Sequence, residues 1–192
     1  MAKRVPGERR KEILQTLAHM LENPKGEKIT TALLASKLDV SEAALYRHFA
    51  SKAQMFEGLI EFIEETVFSL VNKIQTEERN GMKQVEATVS MLLSFAQKNP
   101  GMTRVLIGDA LVNEDDRLQL RMNQLHDRLE ASLRQSARTA ATDGALHTSL
   151  DANAYANAVM AFIVGRWHQF AKSGFKRSPV ENLVQGWSVF AG

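Results

Sequence analysis

Apolar residues recur along this chain at three- and four-residue spacing, and no stretch alternates convincingly at a period of two, so the pattern predicts an all-α protein built from amphipathic helices. A first helix is expected from about Gly7 to Leu21, with Ile13, Leu14, Leu17 and Leu21 inward, ended by the loop residues Asn23-Pro24-Lys25-Gly26. Leu34, Ala35 and Leu38 mark a short second helix that Thr30 or Thr31 caps. Asp39-Val40 makes a turn, and Ser41 caps a third helix, Glu42 to Phe49, which buries Leu45 and Phe49. Ser51-Lys52-Ala53-Gln54 has the capping-box pattern and opens a long helix to about Gln75. Its apolar stripe is Phe56, Leu59, Ile60, Ile63, Val67, Leu70, Val71 and Ile74, with Phe62 and Phe68 toward the edges.

Further helices are predicted from Met82 to about Lys98, stopped by Asn99-Pro100-Gly101, and from Met102 to Val112. A strongly periodic one follows from about Asp115 to Ala140, with Leu118, Met122, Leu125, Leu129 and Leu133 inward. Ala141 to Thr148 is small and polar and carries the weakest pattern. Asp151 to Ser173 reads as an alanine-rich helix with Tyr155, Val159, Ile163, Trp167 and Phe170 on its apolar side. Ser178-Pro179-Val180-Glu181 has the chemistry of a final helix start, carrying Val180, Leu183, Val184, Trp187 and Phe190. Tyr155, Val159, Ile163, Trp167, Leu183 and Trp187 give the last two helices more apolar surface than a surface helix needs. They are expected to pair with a symmetry mate in a four-helix arrangement; closure of the protomer's own core is the plainer reading.

Composition changes this picture mainly through the distribution of charge. The net charge is +2 over 192 residues, but residues 1–52 carry +4 and residues 53–192 carry −2. The positive excess coincides with two short helices joined by a tight turn, where attraction to phosphate would place it. Glu42, Ala43 and Ala44 give the third helix a small or polar first turn, as entry into a DNA major groove requires. This helix-turn-helix is therefore a DNA-binding candidate. Lys3 and Arg4 lie in an N-terminal arm, and Arg9, Arg10 and Lys11 sit in a first helical turn, where the macrodipole disfavours cations. Their placement fits either an anionic partner or ordinary surface charge.

Thr30-Thr31, Leu34-Ala35, Val40-Ser41, Leu45-Tyr46-Arg47-His48-Phe49 and Lys52 together resemble the DNA-binding head of the TetR family. Asp39 stands where that family commonly has glycine, and aspartate tolerates the left-handed backbone such a turn needs. The resemblance implies a head over residues 1–50 and a helical dimerisation and partner-binding body over residues 51–192. It further implies a homodimer on double-stranded DNA, with phosphate contacts from Tyr46, His48 and Lys52, and Thr31, Ser41, Ala43, Ala44 and Arg47 near the duplex. The plainer alternative for His48 is a structural histidine at the junction of head and body.

Within the family, Leu59-Ile60-Glu61-Phe62-Ile63-Glu64, Asn99 to Leu106, Asn123-Gln124-Leu125 and Phe175-Lys176 resemble a branch of chromosome-bound division inhibitors. That likeness implies contact with the C-terminal tail of the tubulin-like protein FtsZ, between the long helix and the next. It carries the contact over to Phe62, Leu70, Ser94, Lys98 and Asn99, with Leu70 standing in place of a basic residue and Ser94 in place of a glycine. A cytoplasmic, nucleoid-associated protein follows. The rival reading is a ligand-responsive TetR-type repressor with Met91, Phe95, Met122, Tyr155, Met160 and Trp167 around a cavity, although such residues are more often core.

An enzyme is not expected. His19, His48, His126, His147 and His168 lack metal-ligand spacing, and neither a phosphate-cradling glycine loop nor a nucleophile elbow occurs. No cofactor is implied. The absence of cysteine removes disulfides and thiolate sites, and no apolar run approaches the ~18 residues of a membrane span.

Overall fold

Side-chain caps set most of the helix boundaries. In the computed structural model, which describes residues 7–23, 29–146 and 150–191, α1 spans Glu8–Leu21 and the next three helices each start at a predicted cap. Thr30 Oγ1 accepts from the Leu33 N–H at 3.1 Å and opens α2 (Thr31–Lys37). Ser41 Oγ accepts from Ala44 N–H at 3.3 Å and opens α3 (Glu42–Tyr46). Ser51 Oγ accepts from Gln54 N–H at 3.2 Å and opens α4 (Lys52–Glu77), while Gln54 Oε1 reaches back to the Ala50 N–H at 2.9 Å. Asp39 between α2 and α3 has φ 52°, the left-handed turn that its side chain tolerates.

Beyond the head come α5 (Gly81–Lys98), α6 (Pro100–Leu106), a short 3₁₀ turn at Asp109–Leu111, α7 (Asp116–Thr142), α8 (Ala152–Lys172) and α9 (Leu183–Ala191). All regular structure among the described residues is helical, and no helix there is long and apolar enough to cross a membrane. The body forms around α5, α7 and α8, with α4 and α6 packed on them. Leu118, Met122, Leu125, Leu129 and Leu133 of α7 are all buried. At the centre the indole N–H of buried Trp167 donates to the Leu92 carbonyl at 3.3 Å. Arg121 of α7 joins α4 with a two-pronged contact to Glu64, at 2.6 and 3.2 Å.

The head is fixed to the body by α1, which packs on both α4 and α6. The contact with α6 is backbone-close: a Cβ on Gly101 would lie 1.9 Å from the Ala18 carbonyl oxygen. One turn further, Arg104 is ion-paired with Asp109 at 2.6 Å and donates to the carbonyls of Leu21 and Asn23, both at 3.3 Å. It thereby satisfies acceptors that the C-terminus of α1 leaves open.

Several boundaries differ from the sequence pattern. α3 ends at Tyr46 rather than Phe49, and the chain tightens there, with the His48 N–H donating to Leu45 O three residues back at 2.9 Å; Phe49 is nevertheless buried. Asn99 ends α5 and at once begins α6, with Pro100 in the first helical turn, where its missing N–H costs nothing. Gly108, at φ 77°, stops α6 short of Val112. Ser178-Pro179-Val180-Glu181 forms turns, and α9 starts only after Asn182, whose φ of 52° breaks the helix. Leu70 is 38% exposed, so the buried stripe of α4 is narrower than its apolar residues suggested. The arm with Lys3 and Arg4, the Pro24-Lys25-Gly26 loop, and His147 and Thr148 lie outside the described residues.

Candidate nucleic-acid interface and partner surface

Hydrogen bonds link Thr31 at the start of α2 with Glu42 and Tyr46 of α3. Ser41, Ala43, Tyr46, Arg47 and His48 are exposed, and Thr31 and Ala44 are half-buried. Tyr46 Oη donates to Thr31 Oγ1 at 3.4 Å, and Thr31 Oγ1 donates to Glu42 Oε2 at 2.5 Å. A polar chain thus runs across the helix-turn-helix and ends on the carboxylate of Glu42.

Lys52 is held differently. Its ammonium is paired with Glu114, in the loop just before α7, and lies 5.7 Å from the Phe56 ring centroid. Arg10 is likewise engaged: it donates to the His48 carbonyl at 3.2 Å and stacks 4.2 Å from the centre of the Phe49 ring. Arg9 pairs with Glu12 at 2.6 Å. Arg10 therefore serves the packing of the head as well as its charge.

Of the residues assigned to a protein partner, Phe62 is 45% exposed, Lys98 and Leu70 are exposed, and Ser94 and Asn99 are half-buried. Asn99 Nδ2 donates to the Phe95 carbonyl at 2.8 Å, which fixes its orientation. Phe62 and Asn99 line one groove of about 650 Å³. That groove runs between α1 and α4 rather than between α4 and α5. Its floor includes Leu14, Ala18, Leu59 and Met102, and its rim carries Lys11 on one side and Glu61 and Glu65 on the other. Leu70 lies two turns further along α4, so it and Ser94 do not line this groove. The contribution of α1 could not be read from periodicity, because it depends on how the head docks.

The residues expected at the dimer contact require a correction. Tyr155, Val159, Ile163, Trp167 and Trp187 are buried inside one protomer, and Leu183 is half-buried, packed on the same core. A residue already covered by its own chain cannot supply the face for a second copy. Tyr155 instead ties α9 to α8, donating to the Phe190 carbonyl at 3.1 Å, and burial pushes its hydroxyl pKa up to about 12. The side left exposed carries Ala154, Ala158, Ala161 and Gly165 on α8, and Val184 and Val189 on α9, at 78% and 80% exposure.

Comparison with known proteins agrees with this architecture. Residues 27–59 match the model for bacterial regulatory proteins of the tetR family, and residues 79–192 match that of the tetracyclin repressor-like C-terminal domain. The chain belongs to the TetR family. Its similarity to the nucleoid occlusion factor SlmA of Alteromonas mediterranea is 50% identity over 182 residues, covering 95% of this chain and 93% of that protein. SlmA of Idiomarina loihiensis is 49% identical, covering 94% and 92%. TetR-type folds are also seen in the MbdR regulator from Azoarcus, with TM-score 0.80, 15% identity and 95% and 96% of the two chains covered. FadR of Bacillus subtilis, solved with stearoyl-CoA, gives TM-score 0.77 at 12% identity, covering 95% and 97%.

Proposed function

We propose that this protein is a nucleoid occlusion factor: a homodimer that binds chromosomal DNA sites through its two helix-turn-helix heads and restrains the division ring from there. The observation that carries this reading is the near-50% identity to SlmA proteins along almost the whole chain, body included. The exposed Ser41, Ala43, Tyr46, Arg47 and His48 would meet the duplex, phosphates positioning the head and base edges selecting the site. Lys52 would join them once its ammonium leaves Glu114. The small and apolar side of α8 and α9, with Ala158, Gly165, Val184 and Val189, would pair the protomers.

The C-terminal tail of FtsZ would bind along α4, with exposed Phe62 as apolar anchor and Lys98 meeting a carboxylate. Leu70, Ser94 and Asn99 complete that surface. The ligand-sensor alternative is less well supported. Of the residues that would have to line its cavity, Phe95, Met122, Tyr155, Met160 and Trp167 are buried in the hydrophobic core and Met91 is half-buried against it.

The test is fluorescence anisotropy of a labelled FtsZ tail peptide titrated with the full chain, with and without its DNA. Saturable binding that Phe62→Ala or Lys98→Glu abolishes supports the reading. No binding by a protein that still dimerises and holds DNA would return the body to a sensor role.

A further inference from the structure

We infer that Glu42 is a specificity-determining residue of the DNA interface, reading the amino group of a cytosine in the major groove while Thr31 and Tyr46 position its carboxylate. This rests on the reading of α3 as the helix that enters the groove. Glu42 is exposed and is the first residue of α3. Its Oε2 accepts from Thr31 Oγ1 at 2.5 Å, and Thr31 accepts in turn from Tyr46 Oη at 3.4 Å. Both donors are neutral hydroxyls, so they orient the carboxylate and leave its charge intact. Among the described residues no cation pairs with it, and Oε1 has no hydrogen-bond partner.

A carboxylate aimed at DNA has few favourable targets, because it accepts hydrogen bonds and donates none. Phosphates repel it, as do the O6 and N7 acceptors of guanine and the O4 of thymine. Adenine offers its N6 amino group beside the N7 acceptor, which opposes the second carboxylate oxygen. Cytosine alone presents an amino donor with no acceptor beside it on its major-groove edge. Glu42 would therefore weaken attachment to the backbone in general and favour one C·G pair in each half-site. The plainer role for an acid here is favourable contact with the helix N-terminus, which predicts no base preference.

The experiment selects preferred duplexes from a randomised 20-base-pair library with the full wild-type chain. Every base pair of the selected half-site is then replaced in turn, and binding is measured for wild type, Glu42→Ala, Glu42→Gln, Thr31→Val and Thr31→Ser. The wild type should lose on the order of 10- to 100-fold in affinity when one particular C·G pair is replaced. Glu42→Ala should flatten discrimination at that pair alone while tightening binding to unrelated duplex. Glu42→Gln should move the preference there toward adenine, which glutamine pairs through N6 and N7. Thr31→Val should blur the same pair and Thr31→Ser should restore it. If the wild type selects a sequence and Glu42→Ala and Glu42→Gln keep its full base preferences, the assignment of Glu42 is overturned while the groove-entering role of α3 stands. If the wild type selects no sequence, both fall.

Discussion

The ammonium of Lys52, at the start of α4 where head meets body, is paired with the carboxylate of Glu114, 62 residues further along the chain. A phosphate approaching Lys52 must compete with that carboxylate. Glu114→Gln should release the ammonium, raise DNA affinity at low salt and steepen the salt dependence by about one counterion. Titrations at several salt concentrations check this. An unchanged slope would mean that Lys52 stays away from the duplex.

The near contact of Gly101 with Ala18 makes a second, structural test. A methyl group at Gly101 would lie 1.9 Å from a backbone oxygen, and neither α1 nor α6 can yield by rotating a side chain. Gly101→Ala should destabilise the fold by about 1–3 kcal/mol or more, the range for overpacked interiors. Thermal unfolding would read the loss as a lowered Tm. Gly165→Ala, where no atom lies within 4 Å of the added carbon in the protomer, should leave the protomer's packing undisturbed.

Acid should weaken the protein through His126. Burial pushes this histidine below its ordinary pKa of 6.5, reinforced by His168, while a hydrogen bond to the Leu106 backbone and the charge of Asp127 pull the other way. Among the described residues its Nε2 has no hydrogen-bond partner, and the ring lies 5.8 Å from that of Trp167. Because the folded pKa is lowered, the unfolded chain takes up the proton first. Stability is then full above the ordinary pKa and is lost as pH falls from there through the folded value. Urea unfolding followed by tryptophan emission should show a smaller stability at pH 5.5 than at pH 7.5. His126→Gln should shrink that difference; an equal difference in the variant would assign the effect to other groups.

The outward face of α8 and α9 predicts its own disruption. If this face pairs the protomers as proposed, Val184→Glu together with Val189→Glu should yield single protomers in sedimentation experiments, because charged groups would be buried against one another. The helix content should be unchanged, since both positions are exposed in the protomer.

Periodicity and capping chemistry made the head legible from the residues alone. Thr30, Ser41 and Ser51 each cap where expected, and Leu34, Leu45 and Phe49 are buried. α7 was equally clear, because one side of a long amphipathic helix points to a single core. The last two helices were harder to read. Hydrophobicity reveals that Tyr155, Trp167 and Trp187 are covered, but not whether their own chain or a second copy covers them. The small residues Ala158 and Gly165, which face outward, carry too little apolar signal to be noticed. Glu42 escaped for a related reason: an acid in a first helical turn looks ordinary until Thr31 is seen bonded to it. The groove under Phe62 needed α1, a helix that periodicity could place along the chain but not in space.

The clamp of Arg104 and Gly101 on α1 also bears on how the protein measures DNA. With its first helix gripped by α6, and α4 running 26 residues from the head into the core, a head has little freedom to swivel on its own body. Two such heads in a dimer would behave as the jaws of a set caliper. One base pair added between half-sites turns the second by about 34–36° and shifts it by about 3.4 Å. The protein would meet that change with strain rather than accommodation, so the interval between half-sites would be as much a part of the address as the bases themselves.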